Sequence, residues 1–392
     1  MRKNLLLTSA LLAAVGLSSC SNEDFPGQSD SAVATDGQLI TFALRTPAGE
    51  KMSYTRALHD DAEFAVRSLQ LYEYEVAENE GEKTTSLCRI MSYPTGTGKN
   101  VIDLKDLGDG SYSFSIVIPA DYKNRTFTYR LVANNATTNV KLGESVDNFR
   151  EKWYSAVTLA NTTAQPETGE NGETIGEPVT ISPKGDALAD PEKGIAMTGS
   201  ALAKGTASDE IKIGQTTECE VQLTRIVSRV DISYATPNLK LTKVELQGAP
   251  VKSFLFPRTD ESGSSLYADC DRLKIDLNGN LTLPEYYLKD NEAENKVELK
   301  KAFYLYERVN TEEDSAVVHI EYTVSANDTE YKGVLDVPFR RTSGDMQYID
   351  TKRNHLYTIV LGNGDEPVAG KVSATIIVDD WNLVEIDEPI TD

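Results

Sequence analysis

Short segments that alternate apolar and polar residues recur along most of this chain, and they constrain its fold more than any other feature. Successive side chains of a β-strand point to opposite faces, so this alternation is typical of strands with one buried face. The segments are QLITFALRT (38–46), FAVRSLQLYEYEV (64–76), SYSFSIVIP (111–119), FTYRLVAN (127–134), GIAMTGSALA (194–203), ECEVQLTRIVSRVDISYA (218–235), LKLTKVELQG (239–248), KAFYLYERV (301–309), AVVHIEYTVS (316–325), YKGVLDVPF (331–339), HLYTIVLG (355–362) and KVSATIIVDDW (371–381). They predict a mostly β protein of sandwich type.

One segment, 142–160, has helical spacing instead. The apolar residues on its predicted face are Val146, Phe149, Trp153 and Val157. A stripe at this spacing predicts an amphipathic helix that packs against a core, which is the more common use of such a stripe than binding a ligand. The stretch 161–179 that follows is rich in Gly, Pro and Glu and is predicted to be a surface loop.

The charge balance excludes one class of function. The 392 residues carry a formal net charge of -22, whereas a nucleic-acid-binding protein needs a basic face. No apolar run of 18 or more residues follows the N-terminus, so we expect no membrane-spanning helix.

The first twenty residues read as an export signal. A basic start, MRK, precedes the apolar run LLLTSALLAAVG and then LSSC. The ending resembles the lipobox of bacterial lipoproteins, in which cleavage between Ser19 and Cys20 is followed by acylation of the cysteine. An ordinary signal peptide with a chance cysteine is the alternative. The polar residues 21–37 are predicted to form a flexible tether.

The cysteines do not form a recognisable framework. If Cys20 carries lipid, the three others (Cys88, Cys219 and Cys270) are an odd and widely spaced set, typical neither of a disulfide scaffold nor of a zinc site. We expect mostly buried free thiols, and the sequence leaves open whether one pair is bonded.

Motifs for catalysis or for metal binding are weak. The stretch PTGTGKNV (94–101) lacks the first glycine and the Ser/Thr of a phosphate loop, and DLNGN (276–280) lacks the later positions of a calcium loop, so a hairpin turn is favoured there. We interpret His319 and His355 as structural, and His59 has no metal or triad signature around it. The sequence therefore predicts no enzyme, no cofactor and no metal.

The joint between the first two strands is unusual. A hairpin closes in two residues, but here a long polar segment containing SYTRALHDDAEF (53–64) separates the strands. Arg56 lies in it, followed by the small residue Ala57. Exposed segments of this kind are where proteolytic nicking concentrates, and Arg45 offers a second basic position upstream.

The order of lipobox, tether, single strand, arginine-containing joint and -LQLYEYE- strand closely resembles the precursors of the fimbrillins (FimA-like), the major subunits of type V pili in Bacteroidales. The further segments that resemble the family, in order, are RLVANNAT (130–137), GIAMTG (194–199), LTRIVSRVDI (223–232), KRNHLYTIVLG (352–362) and VSATIIVDDWNLVE (372–385). The likeness covers nearly the whole chain, although the 161–179 loop looks longer than usual for the family.

The resemblance implies a mechanism. The precursor reaches the outer membrane surface as a lipoprotein, an arginine-specific protease cuts the joint, here between Arg56 and Ala57, and the released first strand leaves a groove for a strand of another subunit. The apolar face of the removable strand is Ile40, Phe42 and Leu44. The candidate donor strand is the C-terminal tail, with Leu383, Val384 and Ile386, whereas 371–381 is predicted to be an internal strand.

We therefore expect a mostly β protein of two β-sandwich-like (transthyretin-like) domains, with a helix in the first. The predicted division is a signal peptide at 1–20, a tether and removable strand at 21–56, an N-terminal domain at 57–225, and a C-terminal domain with the donor tail at 226–392.

The predicted function is that of a structural pilin subunit of a fimbrium at the cell outer membrane, which supports adhesion and colonisation. Its expected partners are copies of itself and other pilin subunits, and the adhesion ligand is not identified. The alternatives are a fimbrial anchor or tip subunit, or a monomeric glycan-binding surface lipoprotein. The last would need an aromatic platform, and both tryptophans lie in patterned segments.

Overall fold

The computed structural model describes residues 37–47, 63–95, 100–108, 110–134, 142–146, 194–234, 239–250, 253–260, 262–267, 272–276, 297–326, 329–341, 347–362 and 372–380, with four two-residue strands between 154 and 175. All of these except Gly37 belong to one compact unit, Gln38–Asp392.

Among the residues that the structure describes, the regular elements are almost all strands, so the prediction of a mostly β chain is confirmed. The strands up to residue 225 are β1 (Gln38–Arg45), β2 (Leu69–Asn79), β3 (Glu82–Tyr93), β4 (Lys105–Gly108), β5 (Ser111–Ile118), β6 (Thr126–Ala133), β7 (Tyr154–Ser155), β8 (Thr163–Ala164), β9 (Glu167–Thr168), β10 (Thr174–Ile175), β11 (Met197–Ala203), β12 (Ile211–Lys212), β13 (Glu218–Gln222) and β14 (Thr224–Arg225).

The later strands are β15 (Val227–Tyr234), β16 (Leu239–Pro250), β17 (Ser253–Phe254), β18 (Arg258–Thr259), β19 (Ser265–Leu266), β20 (Arg272–Asp276), β21 (Val297–Tyr306), β22 (Val317–Ala326), β23 (Thr329–Pro338), β24 (His355–Leu361) and β25 (Ala374–Asp380). A single turn of 3-10 helix, Ala120–Tyr122, joins β5 to β6. No helix in the part of the chain that the structure describes is long and apolar enough to cross a membrane.

A ten-stranded sheet contains the early strands, in the order β3-β2-β6-β11-β13-β1-β5-β4, with β12 on β6 and β14 on β11. One face of this sheet encloses a core of its own. Phe42 on β1 packs against Tyr129 on β6 although β11 and β13 lie between these strands in the hydrogen-bonding order. The sheet therefore curls so that its two halves share one set of buried side chains.

At β2, β3 and β6, the other face of this sheet belongs to a second core. On β2, Leu69 and Leu71 lie in the first core, whereas Tyr72 and Tyr74 lie in the second. The second core is completed by a four-stranded sheet, β21-β15-β24-β25, and a five-stranded sheet, β23-β22-β16-β20-β8. Because both of its faces are covered, β2 is buried on both sides along its first half.

The chain passes from the first sheet to the later ones at Ile226. The short strand β14 pairs with β11 of the ten-stranded sheet, and β15 then pairs with β21 and β24. The division into two transthyretin-like domains stays a prediction.

Two strand predictions need correction. Strand β2 begins at Leu69 and not at Phe64, because the backbone N–H groups of Arg67 and Ser68 donate to the Asn134 side chain, at 2.7 and 3.3 Å, rather than to a neighbouring strand. The run predicted as one strand over 218–235 is three strands, since it changes pairing partners along its length.

The prediction of a helix over 142–160 is wrong at residues 154 and 155. Val146 is helical, 147–153 lie outside the described residues, and Tyr154–Ser155 is a strand that pairs with Ser253–Phe254. Backbone pairing to β17 replaces the helical hydrogen bonds at this point, which the apolar spacing alone does not reveal.

Candidate functional site

Strand β1 lies inside the ten-stranded sheet and not at its edge. It pairs in parallel with β13, from Thr41–Glu218 to Arg45–Gln222, and antiparallel with β5, from Gln38–Ile118 to Arg45–Ser111. Both of its edges are therefore hydrogen-bonded. A chain that lost β1 would expose two unpaired strand edges that face one another across a gap one strand wide.

The inward face of β1 fills three apolar pockets. Ile40, Phe42 and Leu44 are fully buried. The Phe42 ring stacks on Phe114 with centroids 4.8 Å apart and meets the edge of Tyr129 at 5.2 Å. Burial of these three side chains contributes about 5–9 kcal/mol before the entropy cost of ordering the strand.

The outward face of β1 makes few contacts. The Leu39 side chain is 46% exposed, and Ala43 and Arg45 are also exposed. The Thr41 and Ser115 hydroxyls lie 3.0 Å apart and share one hydrogen bond. The stabilisation of β1 thus comes from its inward face and from its two backbone ladders.

Polar side chains fix both ends of β1. At the start, the Gln38 Nε2 donates to the Thr216 carbonyl at 2.6 Å, and the Gln38 Oε1 accepts from the Gly214 N–H at 2.6 Å. At the end, the buried Thr46 donates both its N–H, at 2.8 Å, and its hydroxyl, at 3.0 Å, to the Gly110 carbonyl. These contacts set the register of β1, and the sequence did not predict them.

The two basic positions considered for cleavage differ in their surroundings. The peptide bond after Arg45 belongs to a paired strand, and the Arg45 carbonyl accepts a hydrogen bond from the Leu223 N–H at 2.8 Å. A protease would have to pull β1 out of the sheet to reach that bond. Arg56 and Ala57 lie outside the described residues, between Pro47 and Glu63.

The chain re-enters the described structure at Glu63, which is held in a buried cluster. Its carboxylate accepts from Arg229 Nη1 at 3.0 and 3.3 Å and from the Tyr304 hydroxyl at 2.6 Å. Its backbone carbonyl accepts from Arg225 Nε at 2.9 Å. Asp231 supplies the second carboxylate, with bonds of 2.7 and 2.6 Å to Arg229.

The electrostatics of this cluster follow from its burial. Burial lowers the pKa of Arg225 to about 10 and raises that of Tyr304, where the Glu63 charge adds to the effect. For Arg229, burial alone would lower the pKa, but the Asp231 and Glu63 carboxylates outweigh it and raise the value. Arg229 therefore stays charged, and the carboxylates of Glu63 and Asp231 together balance the charges of Arg229 and Arg225.

Cys219 lies directly opposite Phe42 on β13 and is a buried free thiol. Burial raises its pKa to about 12. Cys88, on β3, is also free but only half-buried. Cys20 and Cys270 lie outside the part of the chain that the structure describes, so whether Cys270 is bonded stays open.

The two described histidines make local contacts. The His319 Nδ1 lies 2.6 Å from the Asp336 carboxylate on the neighbouring strand, and the His355 Nδ1 lies 2.8 Å from the Arg353 carbonyl. Within the described ranges, no group of three or more His, Cys, Asp or Glu side chains is placed to hold a metal ion.

Of the C-terminal segments considered as strands, the structure describes only the part that ends at Asp380. Strand β25 pairs antiparallel with β24, from His355–Asp380 to Leu361–Ala374, so it is an internal strand of this chain. Leu383, Val384 and Ile386 lie outside the described residues, as do Ser19 and Cys20 at the other end. Of the residues predicted for the site, the structure thus describes Ile40, Phe42 and Leu44, and it brings all three into one core.

No family model matches this chain, and no curated protein matches it. Its fold is similar to that of the tip fimbrial protein Mfa3 from Porphyromonas gingivalis with a C-terminal truncation, at 15% identity and a TM-score of 0.45, over 88% of this chain and 100% of that one.

Two further structures are similar over 88% of this chain and 97% of their own. One is a candidate cell adhesion protein from Bacteroides eggerthii, at 11% identity and a TM-score of 0.44. The other is the fimbrial anchor protein Mfa2 from Porphyromonas gingivalis, at 12% identity and a TM-score of 0.35. At these values the likeness carries no argument about function.

Proposed function

We propose that this chain is a subunit of a surface fimbrium that is exported as a lipoprotein, cut after Arg56, and assembled by exchange of β1 for a strand of a neighbouring subunit. In this role it supports adhesion and colonisation. The precursor is anchored in the outer membrane by lipid on Cys20 after cleavage at Ser19–Cys20, and no catalytic step by the chain itself is involved.

The observation that carries the proposal is the position of β1. A strand near the N-terminus occupies a central place in a sheet, with both edges paired and three side chains in a core. Loss of such a strand leaves a groove that favours any strand able to pair with β5 and β13, which is β-strand addition.

The contacts on the two sides of the joint support separation after a cut. Upstream, β1 is held by the ten-stranded sheet, whereas downstream Glu63 is held by Arg225, Arg229 and Tyr304. These are independent sets of contacts, so a cut at Arg56 would leave the new N-terminal segment docked at Glu63. Only the β1 side would then be free to leave.

The tail is the proposed donor toward a neighbouring subunit. Leu383, Val384 and Ile386 follow β25, which is already paired within the chain. A strand rises by about 3.3 Å per residue, so a donated strand over 382–390 would span roughly 30 Å. A subunit of the fimbrial stalk needs both a removable strand and such a tail. If the protein found at the cell surface began at acylated Cys20, it would instead be an anchor subunit.

The processing site is tested by replacing Arg56 with alanine. We expect the Arg56→Ala chain to stay uncut and lipid-anchored and to form no filaments, because β1 then continues to fill its own groove. Arg45→Ala is the matched control and should be processed and assembled normally, since that bond is protected by strand pairing. N-terminal sequencing of surface material, together with electron microscopy, measures both. Normal filaments from Arg56→Ala would show that Arg56 is not the site.

A further inference from the structure

The groove that β1 occupies sets a demanding pattern for any replacement strand. The cross-strand neighbours of its inward residues are Ile116 beside Ile40, Phe114 and Cys219 beside Phe42, and Tyr112 and Val221 beside Leu44. All of them are apolar or aromatic side chains of one buried cluster. A charged or amide side chain that entered any of the three pockets would be desolvated among apolar neighbours, at a large cost.

The central pocket is shaped for an aromatic ring. Phe114 forms its flat wall and Tyr129 its edge-on wall. Tyr129 is itself backed by Phe127, with centroids 6.3 Å apart, and Phe127 stacks on Tyr122 at 5.3 Å. Because these rings pack against one another in one buried cluster, a smaller side chain at the position of Phe42 would leave a cavity.

The tail of this chain does not have the required pattern. Three residues at two-residue spacing must fill the three pockets, in either strand direction. Within 381–392, every such triplet that contains two apolar residues also contains Asn382, Glu385 or Glu388. The best match, Val384 and Ile386, places Glu388 in the third pocket and an aliphatic residue, not a ring, in the central one.

The only apolar triplets near the C-terminus belong to a strand that is already used. Val372, Ala374, Ile376 and Val378 alternate without a charge, but 374–380 forms β25 and pairs with β24. Donating this segment would remove a strand from the second core, in which Ile376 is buried. Residues 371–392 of a second copy are therefore a poor source for the strand that fills this groove.

We infer that the groove of this chain accepts a strand from a different subunit, one that carries an aliphatic, an aromatic and an aliphatic residue at two-residue spacing. A polar side chain at the Gln38 position and a Thr or Ser at the Thr46 position would complete the fit. This inference rests on the proposed strand exchange and adds the identity of the partner: the strand comes from a different subunit and not from residues 371–392 of a second copy.

A peptide displacement experiment on the full chain tests this. A recognition sequence for a site-specific protease replaces part of the joint, the chain is cut, and labelled peptides compete with the bound N-terminal fragment. The peptides are residues 37–47, the same peptide with Phe42→Ala or with Leu39→Ala, the tail 381–392, and the tail with Ile386→Phe and Glu388→Leu.

We expect the 37–47 peptide to bind, and Leu39→Ala, the matched control on the outward face, to bind within about threefold of it, since exposed positions contribute little. Phe42→Ala should bind at least about a hundredfold more weakly, because truncating a fully buried ring costs several kcal/mol. The tail should bind at least about a hundredfold more weakly than the 37–47 peptide, and its double substitution should recover at least about tenfold.

Two outcomes would overturn the inference while leaving strand exchange intact. One is a tail peptide that binds within about tenfold of the 37–47 peptide, and the other is a Phe42→Ala peptide that binds like the Leu39→Ala control. If no peptide, including 37–47, displaces the bound fragment, the proposed strand exchange itself is wrong and the inference falls with it.

Discussion

Replacing Phe42 with alanine lowers the free energy of unfolding of the uncut chain by about 3–5 kcal/mol, which is the cost typical of truncating a buried aromatic ring in a packed core. Phe42 is fully buried, stacks on Phe114 and meets the edge of Tyr129. Urea unfolding measures the effect as a lower midpoint at an unchanged slope.

Leu39→Ala is the matched control for this prediction. Leu39 lies on the same strand, loses a side chain of similar chemistry and is 46% exposed on the outward face. Its midpoint should change little. If the two variants were destabilised equally, β1 would not be seated in the core as the structure has it, and its inward face could not define a groove.

Replacing Glu63 with alanine should also cost about 3–5 kcal/mol, because it leaves buried positive charge without its partner. The cluster has two guanidinium groups, Arg225 and Arg229, and two carboxylates, Glu63 and Asp231, so the loss of one carboxylate leaves it with a net positive charge. The Tyr304 hydroxyl also loses its short hydrogen bond. Midpoints in urea again measure the effect.

The control is Glu210→Ala, which breaks an ion pair of similar geometry on the surface. Lys83 Nζ lies 2.5 Å from Glu210, but both side chains are substantially exposed. Exposed ion pairs contribute little to stability, so the urea midpoint of Glu210→Ala should equal that of the unsubstituted chain. A Glu63→Ala midpoint that matched the control would contradict the role of Glu63 in holding the chain after the joint.

Local patterning predicted a large part of the fold. The alternation in QLITFALRT (38–46) identified both the extent of β1 and its inward face, because a two-residue period directly reports which side chains share a side of a strand. The same reasoning placed β5, β6, β16, β22 and β24 within one or two residues.

Other features depend on contacts between distant parts of the chain, which periodicity does not encode. Glu63 and Arg229 are 166 residues apart, and nothing in the acidic patch around 60–63 distinguishes the one carboxylate that becomes buried. The strand β15 is buried at all eight positions because β21 and β24 flank it and both faces are covered, whereas alternation predicts only one buried face.

The position of β1 inside its sheet is a further feature of this kind. Apolar and polar residues alternate in the same way in an edge strand and in a central strand with one polar face. Only the pairing of β1 with both β5 and β13 shows that it is a central strand. The hydrogen bonds that fix Gln38 and Thr46 were not predicted for the same reason. Their acceptors are the backbone carbonyl groups of Thr216 and Gly110, which are far away in the sequence.

Cys219 reports directly on whether β1 can be replaced, because it lies opposite Phe42 in the groove. In a chain with Cys20, Cys88 and Cys270 replaced, Cys219 is the remaining thiol. Its covered state is unreactive, since burial raises its pKa to about 12 and the thiolate is the reactive form. A chain that keeps only the half-buried Cys88 is the control, and its rate should not depend on cleavage.

The decisive measurement is the alkylation rate of Cys219 in three states: uncut, cut and separated from its N-terminal fragment, and refilled with the 37–47 peptide. We expect protection, then rapid labelling, then protection again, because the thiol is exposed only while the groove is empty. A cut and separated chain that stays monomeric with Cys219 as protected as before would contradict it, since other residues of the chain would then seal the position of β1.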